Sequence, residues 1–429
     1  MDRKYMPRIV DSLLDLKLRS FGAVNIVGPK WCGKTTTAEQ RAKSVLKLQK
    51  EQDKEALMVT ADINPSILLE GEKPRLIDEW QDAPKIWDAV RIYCDENKGQ
   101  GHFILTGSTS KKVIAAHTGT GRISRLKMYP MSLYESGESN GTVSLSSLFE
   151  GKNYLKEGCV SGLTIEKIID CACRGGWPES VVINDLESQM EISRDYFQQI
   201  YEVDMFQVDK VKRNKSTMKA VIKSYARNIS TFASKKSILK DVTATNQISE
   251  PTLDDYIGVL EQLFIIEDIY GWSPDIRSAR SIRSGRKREF TDPSIAVAAL
   301  GGSSRIFQKD LKTFGFIFEN LCIRDLKIYS SKINGELSYY SDKYGLEADA
   351  VLHLNDNRYA LIEIKLGGKG IEEGAAHLCE LERLIVEKIS NDKNCSLLPP
   401  TLKIVITGTK YGFRREDGVF VIPIGCLKD

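Results

Sequence analysis

Gly28-Pro29-Lys30-Trp31-Cys32-Gly33-Lys34-Thr35-Thr36 decides the fold, because it satisfies G-x-x-x-x-G-K-[ST] directly after the apolar run at residues 21–27. Glycines at this spacing let successive backbone N–H groups turn inward as an anion cradle. The lysine then reaches the β- and γ-phosphates, and the Thr35 hydroxyl binds Mg²⁺. Residues 34–50 contain no Gly or Pro and are rich in helix formers, so strand, loop and helix follow in the order such a loop needs. The expected ligands are ATP and Mg²⁺.

Working outward, Arg75-Leu-Ile-Asp78-Glu79 reads as a short strand ending in two acids, after a strand-like run at residues 56–60. At that end Asp78 holds Mg²⁺, usually through water, and Glu79 polarises the water that attacks the γ-phosphate. The alternative is a solvated acidic turn. His102-Phe-Ile-Leu-Thr106-Gly-Ser108 is a further strand ending in hydroxyls, with Thr106 and Ser108 either sensing the γ-phosphate or forming an ordinary turn. In Gly121-Arg122-Ile-Ser-Arg125 one arginine offsets phosphoryl charge, within the chain or across a subunit interface, or else makes a structural salt bridge.

The composition fits a soluble globular protein of 429 residues, 41% hydrophobic, with 61 Lys+Arg against 58 Asp+Glu and a formal charge of +3. Near-neutrality excludes a histone-like basic arm while permitting a local basic patch. No stretch reaches a membrane-spanning length, and the charged start lacks a signal-peptide core, so a cytoplasmic protein is expected. The nine cysteines include no Cys-x-x-Cys pair, and there are four His, so neither a disulfide framework nor a zinc site is supported. Cys171 and Cys173, the one close pair in sequence, read as buried small residues.

The set Gly28-Pro-Lys-Trp-Cys-Gly-Lys-Thr-Thr-Thr, Leu-Ile-Asp78-Glu79-Trp-Gln, Leu-Thr106-Gly-Ser, Gly121-Arg-Ile-Ser-Arg-Leu, Pro130-Met-Ser-Leu-Tyr-Glu135-Ser-Gly-Glu and Gly175-Gly-Trp-Pro178 resembles prokaryotic AAA-superfamily ATPases with a C-terminal domain of uncharacterised function. The resemblance covers nearly the whole chain. It implies an α/β multidomain protein: a P-loop AAA-like parallel sheet (residues 1–160), a helical lid and winged-helix middle (161–304), and a restriction-endonuclease-like α/β domain (305–429). Residues 130–138 and 175–178 have no explanation in patterning beyond the turn chemistry of Pro and Gly.

In the middle, residues 164–232 are helical in composition, broken at Gly175-Gly-Trp-Pro178. Two helices with a turn between them follow, at residues 237–242 and from an N-cap at Ser249 with Pro251 in its first turn, and then a strand. This is the order of a winged helix, which either contacts DNA or serves as a protein scaffold. Arg277-Ser-Ala-Arg280-Ser-Ile-Arg283-Ser-Gly-Arg286-Lys287-Arg288 carries six cations in 12 residues with no acid. It reads as a phosphate-contacting wing or as a solvated loop.

After Asp310 the predicted order is helix (314–329), strands (336–341, 346–354, 358–366), helix (371–389) and strand (401–408). That order resembles the PD-(D/E)xK nuclease core, with Asp349, then Glu363-Ile-Lys365, and Glu319 on the preceding helix. Asn355-Asp-Asn357 reads as a three-residue hairpin turn pairing Leu354 with Arg358, and the register sets Asp349 directly opposite Glu363. Opposed residues share a face at about 4.5–5.5 Å between Cβ atoms, and Lys365 joins that face by the period of two. Ala350, Leu352, Ala360, Ile362 and Ile364 make the other face apolar. Two carboxylates this close need something positive between them, and Mg²⁺ suits oxygen ligands. Glu319, with Gly315, Phe316, Cys322 and Ile323 as helical neighbours, puts a charge on an apolar stripe that also requires a partner.

In the nuclease reading Asp349 and Glu363 bind metal, Lys365 positions or deprotonates water, and Glu319 supports the site. The alternatives are a plain Glu363–Lys365 ion pair and a relic fold that binds DNA without cutting. His353 and Tyr359 lie on the same face, as substrate contacts or as packing. The expected function is therefore an ATPase coupled to a Mg²⁺-dependent DNA nuclease module, with DNA as partner and homo-oligomers possible. The alternative is a nucleotide-switched DNA-binding or regulatory ATPase whose nuclease fold is silent.

Overall fold

The computed structural model describes residues 4–50, 53–107, 119–152, 155, 157–209, 211–273, 285–391 and 397–429. The chain divides into two compact units: Met1–Pro130 with Asp204–Lys212 and Val259–Phe264, and Met131–Val203 with Arg213–Gly258 and Ile265–Asp429. No unit boundary falls at 160/161 or 304/305, and across the second of these the helices Ile165–Arg174 and Pro293–Leu300 pack on the helix Leu311–Ser331.

In the first unit, β1 (Ala23–Val27), β2 (Ser44–Lys47), β3 (Arg75–Asp78), β4 (Phe103–Gly107) and β5 (Ile123–Lys127) form one parallel sheet in the order β2-β3-β4-β1-β5. β1 and β4 are buried along their whole length, so they read as continuous apolar runs. Ala23, Ile77, Phe103 and Leu105 pack on one face with Ala61, Ile86 and Val90. Val24, Ile26, Leu76 and Ile104 pack on the other with Val10, Leu14 and Ala38.

Two expectations are corrected here. The helix after the phosphate loop is only Lys34–Glu39, and the chain then turns to make the edge strand β2. The strand-like run at residues 56–60 lies within a helix, Lys54–Ile63, whose Leu57, Met58 and Ala61 cover the sheet. Short apolar runs do not distinguish the two periods, and sheet pairing decided the outcome.

In the second unit a seven-stranded mixed sheet runs in the order β7-β12-β13-β11-β10-β9-β8. Its strands are β7 (Cys159–Val160), β8 (Glu336–Ser341), β9 (Glu347–His353), β10 (Tyr359–Lys365), β11 (Leu402–Thr407), β12 (Tyr411–Arg414) and β13 (Phe420–Pro423). A small pair, β6 (Val143–Ser144) with β14 (Leu427–Lys428), lies apart from it. The hairpin register is as expected: Leu354 N–H donates to Arg358 O (2.8 Å), and the ladder runs from Tyr359↔His353 to Ile362↔Ala350, one step short of Asp349. The face expected to be merely charged is buried too, because Val351, Tyr359 and Leu361 lie under Ala375, Leu378 and Leu381 of the helix Ile371–Asn391. Tyr359 is a packing residue, its hydroxyl donating to Leu398 O (2.7 Å).

The structure supplies what patterning left unexplained at residues 130–138 and 175–178. Met131 N–H donates to Gly176 O (2.6 Å), and a Cβ on Gly176 would stand 2.1 Å from Met131 O. Trp177 is fully buried, stacked on Tyr196 at 4.3 Å, and donates from its indole to Ser294 Oγ (3.0 Å). Beside them Arg324 pairs with Asp292 (2.9 Å) and Asp325 (2.7 Å), all three buried. Asp292 also accepts from Gly176 N–H, and Asp325 from Leu133 N–H (3.0 Å). One buried ionic network thus joins residues about 190 positions apart, at 133 and 325, and leaves no charge in it unpaired.

Candidate functional site

The phosphate loop folds tightly enough to need its glycines. A Cβ on Gly28 would stand 2.1 Å from Met128 O, and Gly33 caps the helix at φ 97°, in the left-handed region. Trp31 also has a left-handed φ of 63°, and Cys32 is buried with its carbonyl held by Arg8 Nη1 (2.8 Å). The buried Lys34 turns its ammonium onto the loop's own carbonyls, Pro29 O (2.7 Å) and Gly28 O (3.1 Å). Phosphate oxygens compete naturally for that charge. Lys30 points elsewhere, to Asp204 (2.7 Å) and Gln207 (2.9 Å). No side-chain role emerges for Pro29 or Thr36.

Because β4 lies between β1 and β3, Thr106 stands between Ile26 and Asp78 in the register. Its hydroxyl donates to Asp78 Oδ1 (2.5 Å), and the Thr35 hydroxyl donates to the same oxygen (2.7 Å). The loop, the acidic strand end and Thr106 therefore converge on one point. Glu79 follows with φ 55°, a left-handed conformation uncommon for a side-chain-bearing residue, and its carboxylate accepts from the Gln81 amide. Ser108 lies outside the described residues.

Arg122 takes the salt-bridge alternative. It immediately precedes β5, whose first residue, Ile123, pairs with Ala23 at the opposite end of β1 from the phosphate loop. Four strand steps of about 3.3 Å separate the two ends. Arg122 is paired there with Asp95 (2.6 Å), and Arg125 stacks over Phe264. Neither serves the loop of its own chain, so Arg122→Ala is expected to keep wild-type ATP turnover at protein dilutions where only single chains are present.

Sequence reasoning missed the support behind the loop. Tyr5 donates to Asp11 (2.7 Å) and touches Thr37 (3.1 Å), while Arg8 braces Cys32 and Tyr129. Nothing in their spacing marks them.

The second unit gathers Glu319, Asp349, Glu363 and Lys365, as expected, but around an unexpected residue. Lys287, 3% exposed, pairs with both Glu319 and Asp349 (3.3 Å). Lys365 pairs with Glu363 (2.5 Å) and lies 3.9 Å from Asp349, while Asp349 Oδ2 accepts from Ile364 N–H (2.8 Å). His377 stands 3.6 Å from Glu363, and Gly374 lets its helix close onto Glu363 and Lys365, a Cβ there lying 3.3 Å from Glu363 Cβ.

Burial opposes the charge on Asp349, but Lys287, Lys365 and the Ile364 N–H outweigh it and hold its carboxyl below the ordinary value. Burial first, and the Asp349 charge second, push Glu363 up to about 8, and burial drives Glu319 well up. Burial opposes the charge on Lys287 as well, but Glu319, Asp349 and Glu289 outweigh it and keep the ammonium charged.

The basic stretch is thus corrected at its end. Lys287 enters this cluster, and Arg288 is buried against Asp268 (2.6 Å), so neither is a solvated or phosphate-contacting cation. Arg277, Arg280 and Arg283 lie outside the described residues. Among the described residues no group of three or more His, Cys, Asp or Glu has the arrangement of a metal site. An ammonium stands between Glu319 and Asp349, where the nuclease reading puts support for a metal, so these residues do not fit a resident ion in this conformation.

Because Glu363 binds its proton more tightly folded than unfolded, its contribution to stability is full below about pH 4 and is lost as pH rises through about 8. Thermal melts of the wild type should therefore fall from pH 5 to 8, and Glu363→Gln should flatten that slope. Equal slopes in the two proteins would show that the carboxyl is not the titrating group.

The parallel sheet, its phosphate loop and the converging Thr35, Asp78 and Thr106 make the arrangement of a P-loop nucleotide-binding domain of the ATPase kind. Residues 20–137 match the family model of an AAA domain, residues 165–305 a domain of unknown function (DUF8612), and residues 314–427 a domain of unknown function (DUF4143). A Walker-type ATPase of Pyrococcus abyssi is similar at 13% identity, over 69% of this chain and 96% of that one, with a TM-score of 0.39. The replication initiator DnaA bound to AMPPCP and single-stranded DNA is similar at 16% identity, over 59% and 86%, at 0.26. A DNA replication initiation factor is similar at 12% identity, over 59% and 86%, at 0.24. The search of curated proteins found no match. No helix among the described residues is long and apolar enough to cross a membrane.

Proposed function

We propose that the chain is an ATP-hydrolysing switch whose C-terminal region has a PD-(D/E)xK-like fold with a catalytically silent centre. The observation that carries silence is Lys287, a buried ammonium paired with both Glu319 and Asp349. In the ATPase, Gly28 to Thr36 cradle the phosphates, Lys34 leaves its carbonyl partners for them, and Thr35 and Asp78 hold Mg²⁺. The fit of that ion rests on two oxygen donors meeting at 2.7 Å beside the loop. Mg²⁺ there offsets phosphate charge. Glu79 orients and polarises the attacking water, and Thr106 reports the γ-phosphate to Asp78.

The proposed partner is DNA. Three helices (Lys215–Arg227, Lys235–Thr243, Glu250–Gln262) followed by the antiparallel bridges Ile266↔Phe290 and Ile269↔Lys287 support a winged-helix reading of the middle segment. Arg277, Arg280 and Arg283 supply its phosphate contacts. The division 1–160, 161–304 and 305–429 is retained as a proposal about sequence segments, and the matched family spans 20–137, 165–305 and 314–427 lie inside these segments to within one residue.

A second reading, Mg²⁺-dependent DNA cleavage, is favoured by Lys365 lying within 3.9 Å of both Asp349 and Glu363. One experiment separates them: a time course on linear, circular and branched DNA with Mg²⁺ or Mn²⁺, with and without ATP, comparing wild type and Lys365→Ala. The silent reading expects ATP turnover and no cutting. Cutting by wild type alone would establish the nuclease.

A further inference from the structure

Lys30 belongs to the phosphate loop but directs its charge out of it. Its ammonium donates to Asp204 Oδ1 (2.7 Å) and to Gln207 Oε1 (2.9 Å), at the short helical turn Asp204–Phe206 and the residue after it. Asp204 is 7% exposed, a depth at which a carboxylate needs a cation. The loop and Asp204–Lys212 both lie in the first unit, while the chain on either side of that segment belongs to the second. It continues on one side from the helix Leu186–Glu202. On the other side Arg213 is fixed to Asp255 of the helix Glu250–Gln262 by two bonds (2.8 and 2.9 Å), and Asn214 N–H donates to the Tyr256 hydroxyl (2.7 Å). The loop therefore holds, through one lysine, a segment whose two ends run into the helices of the middle region.

The same ammonium is placed to serve the loop's ligand. Lys34 Nζ lies 2.7 Å from Pro29 O, and that carbonyl's carbon is bonded to the Lys30 nitrogen. Lys30 thus leaves the backbone one peptide unit from the Lys34 charge, and its flexible four-carbon stem has the length to bring a second ammonium there. In such a loop the backbone N–H groups cradle the inner phosphates and the lysine head reaches the β- and γ-phosphates, so a group beside that head stands beside the terminal phosphate.

We propose that Lys30 distinguishes a nucleoside triphosphate from a diphosphate: a γ-phosphate draws its ammonium off Asp204 and Gln207, and the turn Asp204–Phe206 is released. This rests on the ATPase reading above and names how that site reports its nucleotide. Without the ammonium, Asp204 is a buried carboxylate that has lost its cation, a costly state that the turn relieves by rearranging toward water. Linkage makes the effect reciprocal, so whatever holds Lys30 on Asp204 weakens triphosphate binding and whatever breaks that pair strengthens it. Once the γ-phosphate is cleaved and leaves, the pair reforms.

The test titrates the full chain with AMPPCP and with ADP, each with Mg²⁺, and follows residues 204–209 by hydrogen exchange. Wild type should exchange these amides faster with AMPPCP than with ADP. Lys30→Met should lose at least about 5-fold in AMPPCP affinity, the low end of ordinary coupling between sites, while its ADP affinity holds and its exchange is equal with the two nucleotides. Asp204→Asn keeps the shape and should gain AMPPCP affinity with ADP affinity unchanged, and Lys30→Arg should retain the wild-type preference. If Lys30→Met and Asp204→Asn weaken both nucleotides alike, the pair only braces the loop and the proposal is overturned. Wild-type exchange that is the same with both nucleotides would overturn it as well. A wild type that binds neither nucleotide would overturn the ATPase reading, and this proposal with it.

Discussion

Lys34→Ala is expected to abolish ATP binding and turnover in a chain that remains folded. The Lys34 ammonium is held in the buried loop by two carbonyls at 2.7 and 3.1 Å, partners that phosphate oxygens replace with full negative charge. Removing it leaves the triphosphate without its point cation in a site where charge is poorly screened. Glu79→Gln is the companion experiment. Gln keeps the shape, so nucleotide should still bind, while the loss of the carboxylate should slow hydrolysis by about 10²- to 10⁴-fold, the range of a general base. Fluorescent-nucleotide titration and a phosphate-release assay on both variants separate binding from chemistry. Wild-type turnover by either variant would sink the assignment of these two residues.

Lys287→Met should destabilise the second unit by about 3–5 kcal/mol at neutral pH, the range for breaking a buried pair from one side. The lysine is 3% exposed and holds the Asp349 carboxyl below its ordinary value, so methionine fills the volume while leaving the buried Asp349 charge without that ammonium. Adding Asp349→Asn to Lys287→Met removes that charge and should restore part of the loss. Urea unfolding followed by fluorescence reads both proteins. Equal midpoints for the single and double variants would show that Lys287 acts through packing rather than charge. Lys287→Met also bears on the silent centre: if the ammonium alone keeps cations out, the variant should gain Mn²⁺ affinity that the wild type lacks.

Where structure followed from local spacing, the chain was legible. The phosphate loop is one continuous stretch, and the β9–β10 register came from a three-residue turn and a period of two, which placed Asp349 beside Glu363 before any packing was known. Depth was not legible. Arg286-Lys287-Arg288 looks like surface because charge usually is, yet Glu319 and Asp349 draw Lys287 inward and Asp268 draws Arg288. Residues 44–47 and 56–60 exchanged their expected helix and strand because sheet pairing overrides the propensity of short runs. His377 joined Glu363 only through the close approach of its helix at Gly374, and β12 and β13 were too short to stand out.

The buried network of Arg324 with Asp292 and Asp325 limits how the chain can be divided or recombined. The sequence families meet between residues 305 and 314, which invites cutting the protein there. A fragment beginning after that point would carry Arg324 without Asp292, Glu319 without Lys287, and a sheet lacking β7. Each omission strands a charge or an edge that the whole chain covers. The two uncharacterised regions therefore form one inheritable piece, and a substitution in either must be tolerated by both.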